Sequence, residues 1–230
     1  MGIRRGSIST PIIADGLIFN VDAANRASYI PNATTTFNTT NLSQSGSFLN
    51  SPTFVNSPPS WDFDGIDACI TCGDIEMDGF TGLTVEAWCK SDITDGIGTR
   101  RIVSKDQVGV QGAWNLWVYY GLRWQTHDGS WQSATYSSYS EDANWHHIVG
   151  TLRDGTNTLY LDGVAVASIS GVGALDDADN EEVVIGADSD VANPEHEWNG
   201  QIANVKIYNR GLSSTEVLHN YNALKSRFGL

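Results

Sequence analysis

Apolar and polar residues alternate along residues 144–164, which read NWHHIVGTLRDGTNTLYLDGV. A repeat of two over this length predicts β-strands rather than a helix. The polar turn DGTN at residues 154–157 separates two alternating runs, and Asp162-Gly163 follows the second run. Because glycine takes positive φ without steric cost, Asp-Gly between such runs indicates a tight hairpin turn. Two such turns so close together predict an antiparallel meander, on which we expect the other strands to pack.

The same pattern continues through most of the chain. From Trp61 to Asn209, strand-like runs of about five to ten residues follow one another, and each run is closed by Gly, Asp or Asn. The first strand is expected to begin at Leu17. Residues 32–60 are rich in Thr, Asn, Ser and Pro, which predicts a long surface loop with short β pieces near Phe48 and Phe54.

The pattern changes near the end of the chain. Ser213 and Glu216 have the spacing of a capping box, in which each side chain bonds the other residue's backbone amide. This predicts one short helix over residues 214 to about 225. The fold class is therefore predicted to be all-β, an antiparallel β-sandwich with one short C-terminal helix.

Seven segments of the chain carry recognisable motifs: FDGIDACI at 63–70, LTVEAW at 83–88, IVSKD at 102–106, WHHIVGT at 145–151, LYLDGV at 159–164, VVIGAD at 183–188 and GQIANVKIYNRGLS at 200–213. Taken in order, they resemble the laminin-G-like, concanavalin A-like lectin-glucanase family of jelly-roll sandwiches. The resemblance implies one jelly-roll domain over residues 16–230. Residues 1–15 are polar and lack periodicity, so we expect them to form an N-terminal arm.

The two ends of the chain carry a narrower resemblance. IADGLIFNVDAANRASY at 13–29 and IYNRGLSSTEVLHNYNALKSRFGL at 207–230 look like laminin-G-like proteins encoded by tailed bacteriophages, which serve as capsid decoration or fibre proteins. This resemblance implies a non-enzymatic virion protein that assembles in the host cytoplasm with capsid or tail proteins. Arg4 and Arg5, in the arm, are the candidate residues for virion attachment. Head or tail location and assembly as a symmetric homo-oligomer stay open.

Charge and cysteine content narrow the choice of partners. Lys and Arg total 13 against 27 Asp and Glu, a formal net charge of −14 that would repel nucleic acid. No apolar run is long enough for a secretory signal or a membrane span, so neither a membrane partner nor ordinary secretion is expected. Three cysteines, an odd number, favour a reduced protein. Cys69 and Cys72 lack the second pair that a zinc site needs.

Hydrolysis of a glycosidic bond needs two carboxylates that flank the bond. The related glucanases carry E-x-D-x-x-E on one strand, and this chain has no such motif. Glu86 lies in the segment TVEAW with no acidic residue two positions on. His146 and His147 have no Ser or Cys in a nucleophile elbow nearby. No catalytic residue is therefore predicted, and a glycoside hydrolase is the third hypothesis.

Glycan binding is the second hypothesis, as a stand-alone carbohydrate-binding module. Such a site needs flat aromatic rings beside amide and carboxylate groups, although most strand aromatics fill cores. Trp131 is the strongest candidate, because the turn sequence HDGSW leaves a tryptophan where burial is difficult. The candidate glycan-binding residues are Trp117, Tyr119, Trp124, His127, Asp128 and Trp131.

Calcium is the one cofactor that the family resemblance brings into question. Laminin-G-like relatives often hold calcium with one Asp from an early strand and one from a late strand. Asp22 matches the early position, whereas Ala203 replaces the late Asp and Asn204 offers one oxygen. Because calcium affinity rises with the number of carboxylates, Asp22 and Asn204 form a weakened candidate site. No other cofactor is expected.

Overall fold

The computed structural model describes residues 11–41, 44–94, 98–106, 112–177, 181–190, 192 and 194–230. Within these residues two antiparallel sheets face each other, which confirms the predicted β-sandwich. In chain order the strands are β1 (Leu17–Asp22), β2 (Thr35–Phe37), β3 (Ser45–Leu49), β4 (Thr53–Asn56), β5 (Pro59–Asp64), β6 (Cys69–Thr71), β7 (Leu83–Ser91), β8 (Thr99–Lys105), β9 (Trp114–Tyr119), β10 (Leu122–His127), β11 (Trp131–Tyr136), β12 (His146–Arg153), β13 (Thr156–Leu161), β14 (Val164–Ser170), β15 (Val184–Ile185) and β16 (Asn199–Tyr208).

Each sheet has eight strands. Sheet A runs in the order β14-β13-β12-β7-β16-β5-β4, and β1 also pairs with β16, beyond the segment that pairs with β5. Sheet B runs in the order β11-β10-β9-β8-β15-β6-β3-β2. The short strands β3 and β4 contain Phe48 and Phe54, so the predicted β pieces within the long loop are confirmed.

The predicted meander is β12, β13 and β14, at one side of sheet A. Asp154 and Gly155 have φ of 50° and 68°, and the turn into β14 repeats this with Asp162 and Gly163 at 51° and 80°. Positive φ at both central residues is the geometry of a two-residue type I′ hairpin turn. The prediction of a four-residue turn was wrong, because Thr156 and Asn157 already belong to β13.

The core between the sheets is centred on a tryptophan that crosses from one layer to the other. Trp124 on β10 of sheet B lies directly on Gly150 of β12 in sheet A, where an added Cβ would be 2.1 Å from the indole. Its Nε1 donates to Asn157 Oδ1 over 3.2 Å, and Asn157 Nδ2 donates to Thr126 Oγ1 over 2.8 Å. The two sheets are thus joined by both an apolar contact and buried hydrogen bonds.

Helix α1 (Ser214–Leu224) and a 3₁₀ turn, Lys225–Phe228, cover the outer face of sheet A. The Ser213 side chain accepts from the Glu216 amide, and the Glu216 side chain accepts from the Ser213 amide, so the predicted capping box is confirmed. Phe228 stacks on Trp88 of β7, with ring centroids 4.2 Å apart.

Among the described helices, none has the length and apolar character that crossing a membrane would need.

A buried ionic network ties helix α1 to sheet A. Glu86 on β7 is fully buried, accepts from Lys206 Nζ over 2.7 Å and accepts from Asn220 Nδ2 of the helix over 2.9 Å. Burial by itself would raise the pKa of Glu86, but Lys206 and His147 outweigh burial and hold that pKa well below its ordinary value. Glu86 is therefore a charged structural group with no access to a substrate.

Part of the predicted N-terminal arm lies against the same helix. Ile13 N donates to Asn220 Oδ1 over 2.8 Å, and Tyr208 Oη donates to the Ile13 carbonyl over 3.0 Å. His219 Nε2 lies 2.8 Å from the Pro11 carbonyl oxygen. Residues 11–15 are thus attached to the helix side of sheet A. Arg4 and Arg5 lie outside the described residues.

All three cysteines are buried and unpaired. Cys69 and Cys72 belong to separate apolar clusters, with Cys72 in the core between the sheets. Burial raises the pKa of the Cys69 thiol to about 12. These thiols are therefore protonated and inert at neutral pH, as buried thiols are expected to be.

Gly150→Ala should lower the free energy of unfolding by about 1–3 kcal/mol. The new methyl group would overlap the Trp124 ring and force the two sheets apart. Urea unfolding followed by tryptophan fluorescence measures this change. Thr158→Ala on the neighbouring strand β13 serves as the control, with a small expected effect. Equal stability of Gly150→Ala and the wild type would mean that the two layers do not meet at this contact.

Lys206→Met should cost about 3–5 kcal/mol at pH 7, because it leaves the Glu86 carboxylate buried without a cation. In the wild type the lowered Glu86 pKa contributes stability above its unfolded value, which is lost only as pH falls through the folded value. In Lys206→Met that pKa should rise, so lowering the pH from 7 to 5 should stabilise the variant and leave the wild type without this gain.

The double variant Lys206→Met with Glu86→Gln is the matched control for that measurement. It has no buried carboxylate at this position, so the gain at low pH should disappear. A Lys206→Met variant with the same pH dependence as this double variant would contradict a charged Glu86.

Candidate functional site

The outer face of sheet B carries the densest group of predicted glycan-binding residues. Alternate residues of β9 are buried in the core between the sheets, so Asn115, Trp117 and Tyr119 point to the other side. Arg123 and Gln125 lie beside them on β10, in register with Trp117 and Asn115. We call these five residues the aromatic face. Tyr119 is exposed, Trp117, Arg123 and Gln125 are partly exposed, and Asn115 is buried beside them.

Two rings of the aromatic face form a rigid stack. Trp117 and Tyr119 have centroids 5.1 Å apart and planes within 2° of parallel. The Arg101 guanidinium lies 5.1 Å from the Trp117 centroid, and the Arg123 guanidinium lies 4.9 Å from the Tyr119 centroid. Ring stacking and cation–π attraction both restrict side-chain rotation. The two rings are therefore preorganised before any ligand arrives.

Polar groups lie beside the stack. Arg101 Nη1 is 2.6 Å from Asp106 Oδ2, and Asn115 Nδ2 donates to the same oxygen over 3.0 Å. Burial raises the pKa of Asp106, and the Arg101 charge opposes that rise. Within the described part of the chain, Asn115 Oδ1 and Trp117 Nε1 are buried without a hydrogen-bond partner. Such atoms are uncommon in folded proteins. Both are closed to solvent, so a sugar does not reach them while the surrounding side chains keep these positions.

Trp131 lies at the far end of the same sheet face, as the first residue of β11 directly after the turn, and 39% of its surface is exposed. It pairs across the hairpin with His127, with ring centroids 5.2 Å apart. His127 is mostly buried, and its Nδ1 is 3.4 Å from Asp176 Oδ2. The register places Trp131 about 14 Å along and about 10 Å across from Trp117. One sugar ring therefore cannot contact both tryptophans.

Two of the predicted glycan ligands have structural positions instead. Trp124 is fully buried between the sheets, so its assignment to a glycan site was wrong. Its alternation on β10 was visible in the sequence, but which side of the strand faced the core was not. Asp128 accepts from the Gly173 amide over 2.7 Å and from Gln132 Nε2 over 3.1 Å. The Gly173 hydrogen bond is the main cause of its lowered pKa, and these bonds hold the β10–β11 turn in place.

The candidate calcium residues Asp22 and Asn204 are cross-strand neighbours on β1 and β16. Both oxygen groups already have cationic partners. Arg227 Nη1 lies 2.7 Å from Asp22 Oδ1, and Lys206 Nζ donates to Asn204 Oδ1 over 3.0 Å. Calcium between these residues would have to displace two positive charges, so the arrangement does not fit the ion well.

A second group with metal-ligand chemistry was not apparent from the sequence. Asp188, Glu195 and His196 place one ligand atom each within 4.8 Å of the others. The His196 carbonyl accepts from the Arg101 amide over 2.8 Å, which places this group beside the aromatic face. Burial lowers the pKa of His196, and the nearby Arg101 charge lowers it further. That guanidinium also opposes a cation here, so we assign no metal to the group.

Arg101, Asp106 and Arg123 were not among the residues predicted from the sequence. A signal for Arg123 was present, because it lies two residues from Gln125 on a predicted strand and must share its face. Arg101 and Asp106 had no such signal. Their approach to Trp117 and Asn115 depends on the pairing of β8 with β9 and on a register shift between Arg101 and Val103.

Solved structures with the same fold include several binding domains. The binding domain of Paraclostridial Mosquitocidal Protein 1 has a TM-score of 0.69 at 16% identity over 90% of this chain and 52% of its own. The botulinum neurotoxin serotype D binding domain has a TM-score of 0.66 at 16% identity, over 90% of this chain and 52% of its own. This chain therefore spans about half of each toxin binding domain.

Domain 4 of AbnA, an arabinanase from Geobacillus stearothermophilus, was solved with arabinotriose. It has a TM-score of 0.67 at 13% identity, over 89% of this chain and 98% of its own. No curated protein sequence matches this chain. The family model described as "Concanavalin A-like lectin/glucanases superfamily" matches residues 64–218, more than half of the chain. The chain therefore belongs to the concanavalin A-like lectin/glucanase superfamily.

Proposed function

We propose that this chain is a non-enzymatic glycan-binding domain displayed on a bacteriophage virion, and that the aromatic face is its glycan contact surface. The observation that carries the proposal is the parallel Trp117–Tyr119 stack, in which Tyr119 is 36% exposed and lies beside the partly exposed polar side chains of Arg123 and Gln125. Protein sites for sugars combine aromatic surface with a few placed polar groups, and this face has both.

The carboxylates near the stack support binding rather than hydrolysis. Asp106 is occupied by Arg101 and Asn115, and the Asp188 side chain accepts from the backbone amide of Glu195 over 3.0 Å. Glycoside hydrolysis needs one carboxylic acid and one carboxylate that are both available to the scissile bond. The arabinotriose complex of AbnA domain 4 and the toxin binding domains are further support from proteins of the same fold.

Trp117→Ala and Tyr119→Ala should each weaken glycan binding by about tenfold, because each removes one ring of the stack. A glycan array first identifies a ligand, and isothermal titration calorimetry then measures its affinity for each variant. Phe37→Ala is the matched control, since Phe37 is also an exposed aromatic residue of sheet B but lies on β2 at the opposite edge.

Three results would contradict this proposal. They are an array without any bound glycan, variants at Trp117 and Tyr119 that bind as the wild type does, or a release of reducing sugar from β-glucan or arabinan. The last result would favour the hydrolase. Thermal unfolding of each variant separates lost binding from lost folding.

The virion setting rests on the resemblance of the chain ends to phage proteins, and the two faces of the sandwich are compatible with it. Residues 11–15 lie on helix α1, outside sheet A, whereas the aromatic face lies outside sheet B. Attachment through residues 1–15, with Arg4 and Arg5 as candidate contacts, would leave the aromatic face directed away from the particle. Capsid or tail proteins would be the partners.

Deleting residues 2–10 should abolish incorporation into phage particles and leave glycan affinity unchanged. The deleted residues directly precede Pro11, which lies on helix α1, on the opposite side of the sandwich from the aromatic face. Mass spectrometry of purified particles measures incorporation. Arg4→Ala with Arg5→Ala tests the two charges in the full-length chain. Normal incorporation of the deletion variant would exclude this arm as the attachment element and favour a stand-alone carbohydrate-binding module.

A further inference from the structure

Arg123 is held in place by the aromatic face rather than by a carboxylate. Its Nε donates to the Tyr119 carbonyl over 3.0 Å, and its guanidinium lies over the Tyr119 ring. No ion pair joins Arg123 to an acidic residue within the described ranges. Because Nε is the bonded nitrogen, the two terminal nitrogens remain available to an incoming group.

The neighbouring arginine has the opposite arrangement. Arg101 lies over Trp117 but also pairs with Asp106 at 2.6 Å, so its charge is compensated within the protein. The stack therefore has a neutralised end at Trp117 and a positively charged end at Tyr119. An ordinary structural cation–π contact would account for the position of Arg123, but it leaves the charge of the guanidinium available.

The groups around Arg123 are neutral hydrogen-bonding residues. Thr135 of β11 is its direct cross-strand neighbour, and Gln125 lies two residues along β10 with its Nε2 bonded to Ser133 Oγ. A planar carboxylate matches the two parallel donors of a guanidinium, and hydroxyl and amide groups match sugar hydroxyls. Both kinds of partner lie on the same surface.

The net charge of −14 would repel an anionic ligand at long range. At physiological ionic strength such repulsion is screened over about 8 Å, whereas a contact ion pair acts within hydrogen-bonding distance. Local contact with Arg123 can therefore favour an acidic sugar even on an acidic protein. Added salt should then have a smaller effect than the loss of Arg123.

We propose that the aromatic face selects glycans that carry a carboxylate group, and that Arg123 binds this group through its terminal nitrogens while the sugar ring contacts the part of Tyr119 that Trp117 and Arg123 leave exposed. The inference rests on the proposed glycan-binding function and names its ligand class. Arg123 is a specificity-determining residue in this proposal, and the stacked rings supply affinity that acidic and neutral sugars share.

The test uses ligand pairs that differ only in the charge of a carboxyl group: trigalacturonate with its methyl ester, and sialyllactose with its methyl ester. Calorimetry on the full chain should show that the acidic member of a pair binds with an affinity at least about tenfold higher than that of its neutral partner. Arg123→Gln should remove this preference: it should weaken binding of the acidic member more than binding of the neutral member, because only the acidic member loses an ion pair while both lose the cation–π support of Tyr119. Arg123→Lys, which keeps the charge but loses the two-nitrogen geometry, should retain part of the preference.

Each outcome distinguishes this inference from the proposed function. Tighter binding of the neutral members, or an equal loss of both members in Arg123→Gln, would overturn the role of Arg123 and leave glycan binding intact. Binding of no sugar in these pairs or on the array would overturn glycan binding itself. Circular dichroism of Arg123→Gln and Arg123→Lys shows whether the Tyr119 strand keeps its fold.

Discussion

The contact between Trp124 and Gly150 determines how the two sheets meet. A flat indole can approach sheet A this closely only where no Cβ is present, and Gly150 provides that place at the middle of β12. The hydrogen bond from Trp124 to Asn157 fixes the orientation of the ring as well as its depth. Because Trp124 lies on β10 between Arg123 and Gln125, the same contact holds the strand that carries two residues of the aromatic face.

The two outer faces of the sandwich differ for a physical reason. On sheet A, the buried Glu86 carboxylate accepts hydrogen bonds from Lys206 and from Asn220 of helix α1. These bonds hold the helix on that face, and residues 11–15 bind to the helix in turn. Without helix α1 and the 3₁₀ turn, the Glu86 network and the Trp88 ring would be exposed to water. Helix α1 lies on sheet A, and on the outer face of sheet B the described side chains of Trp117, Tyr119 and Arg123 are at least partly exposed.

Local patterns predicted the elements well. Asp-Gly at two positions identified the meander, and the Ser213–Glu216 spacing identified the start of the helix, because both signals depend on residues within one turn of each other. Trp131 is exposed, as predicted, but it is the first residue of β11 and pairs with His127 rather than lying in the turn. The length of the first turn was wrong, since Thr156 and Asn157 are polar residues that pair within the sheet.

The sequence by itself determined the fold class, the strand rhythm and which residues share a strand face. It could not say which face was buried, because alternating aromatics on β9 and β10 satisfy the same pattern either way, and so Trp124 and Trp117 looked alike. Only tertiary structure decided that Asp22 meets Arg227 and that Arg101 reaches Trp117. Contacts between distant segments depend on strand order and register, and these follow from packing the whole chain rather than from local spacing.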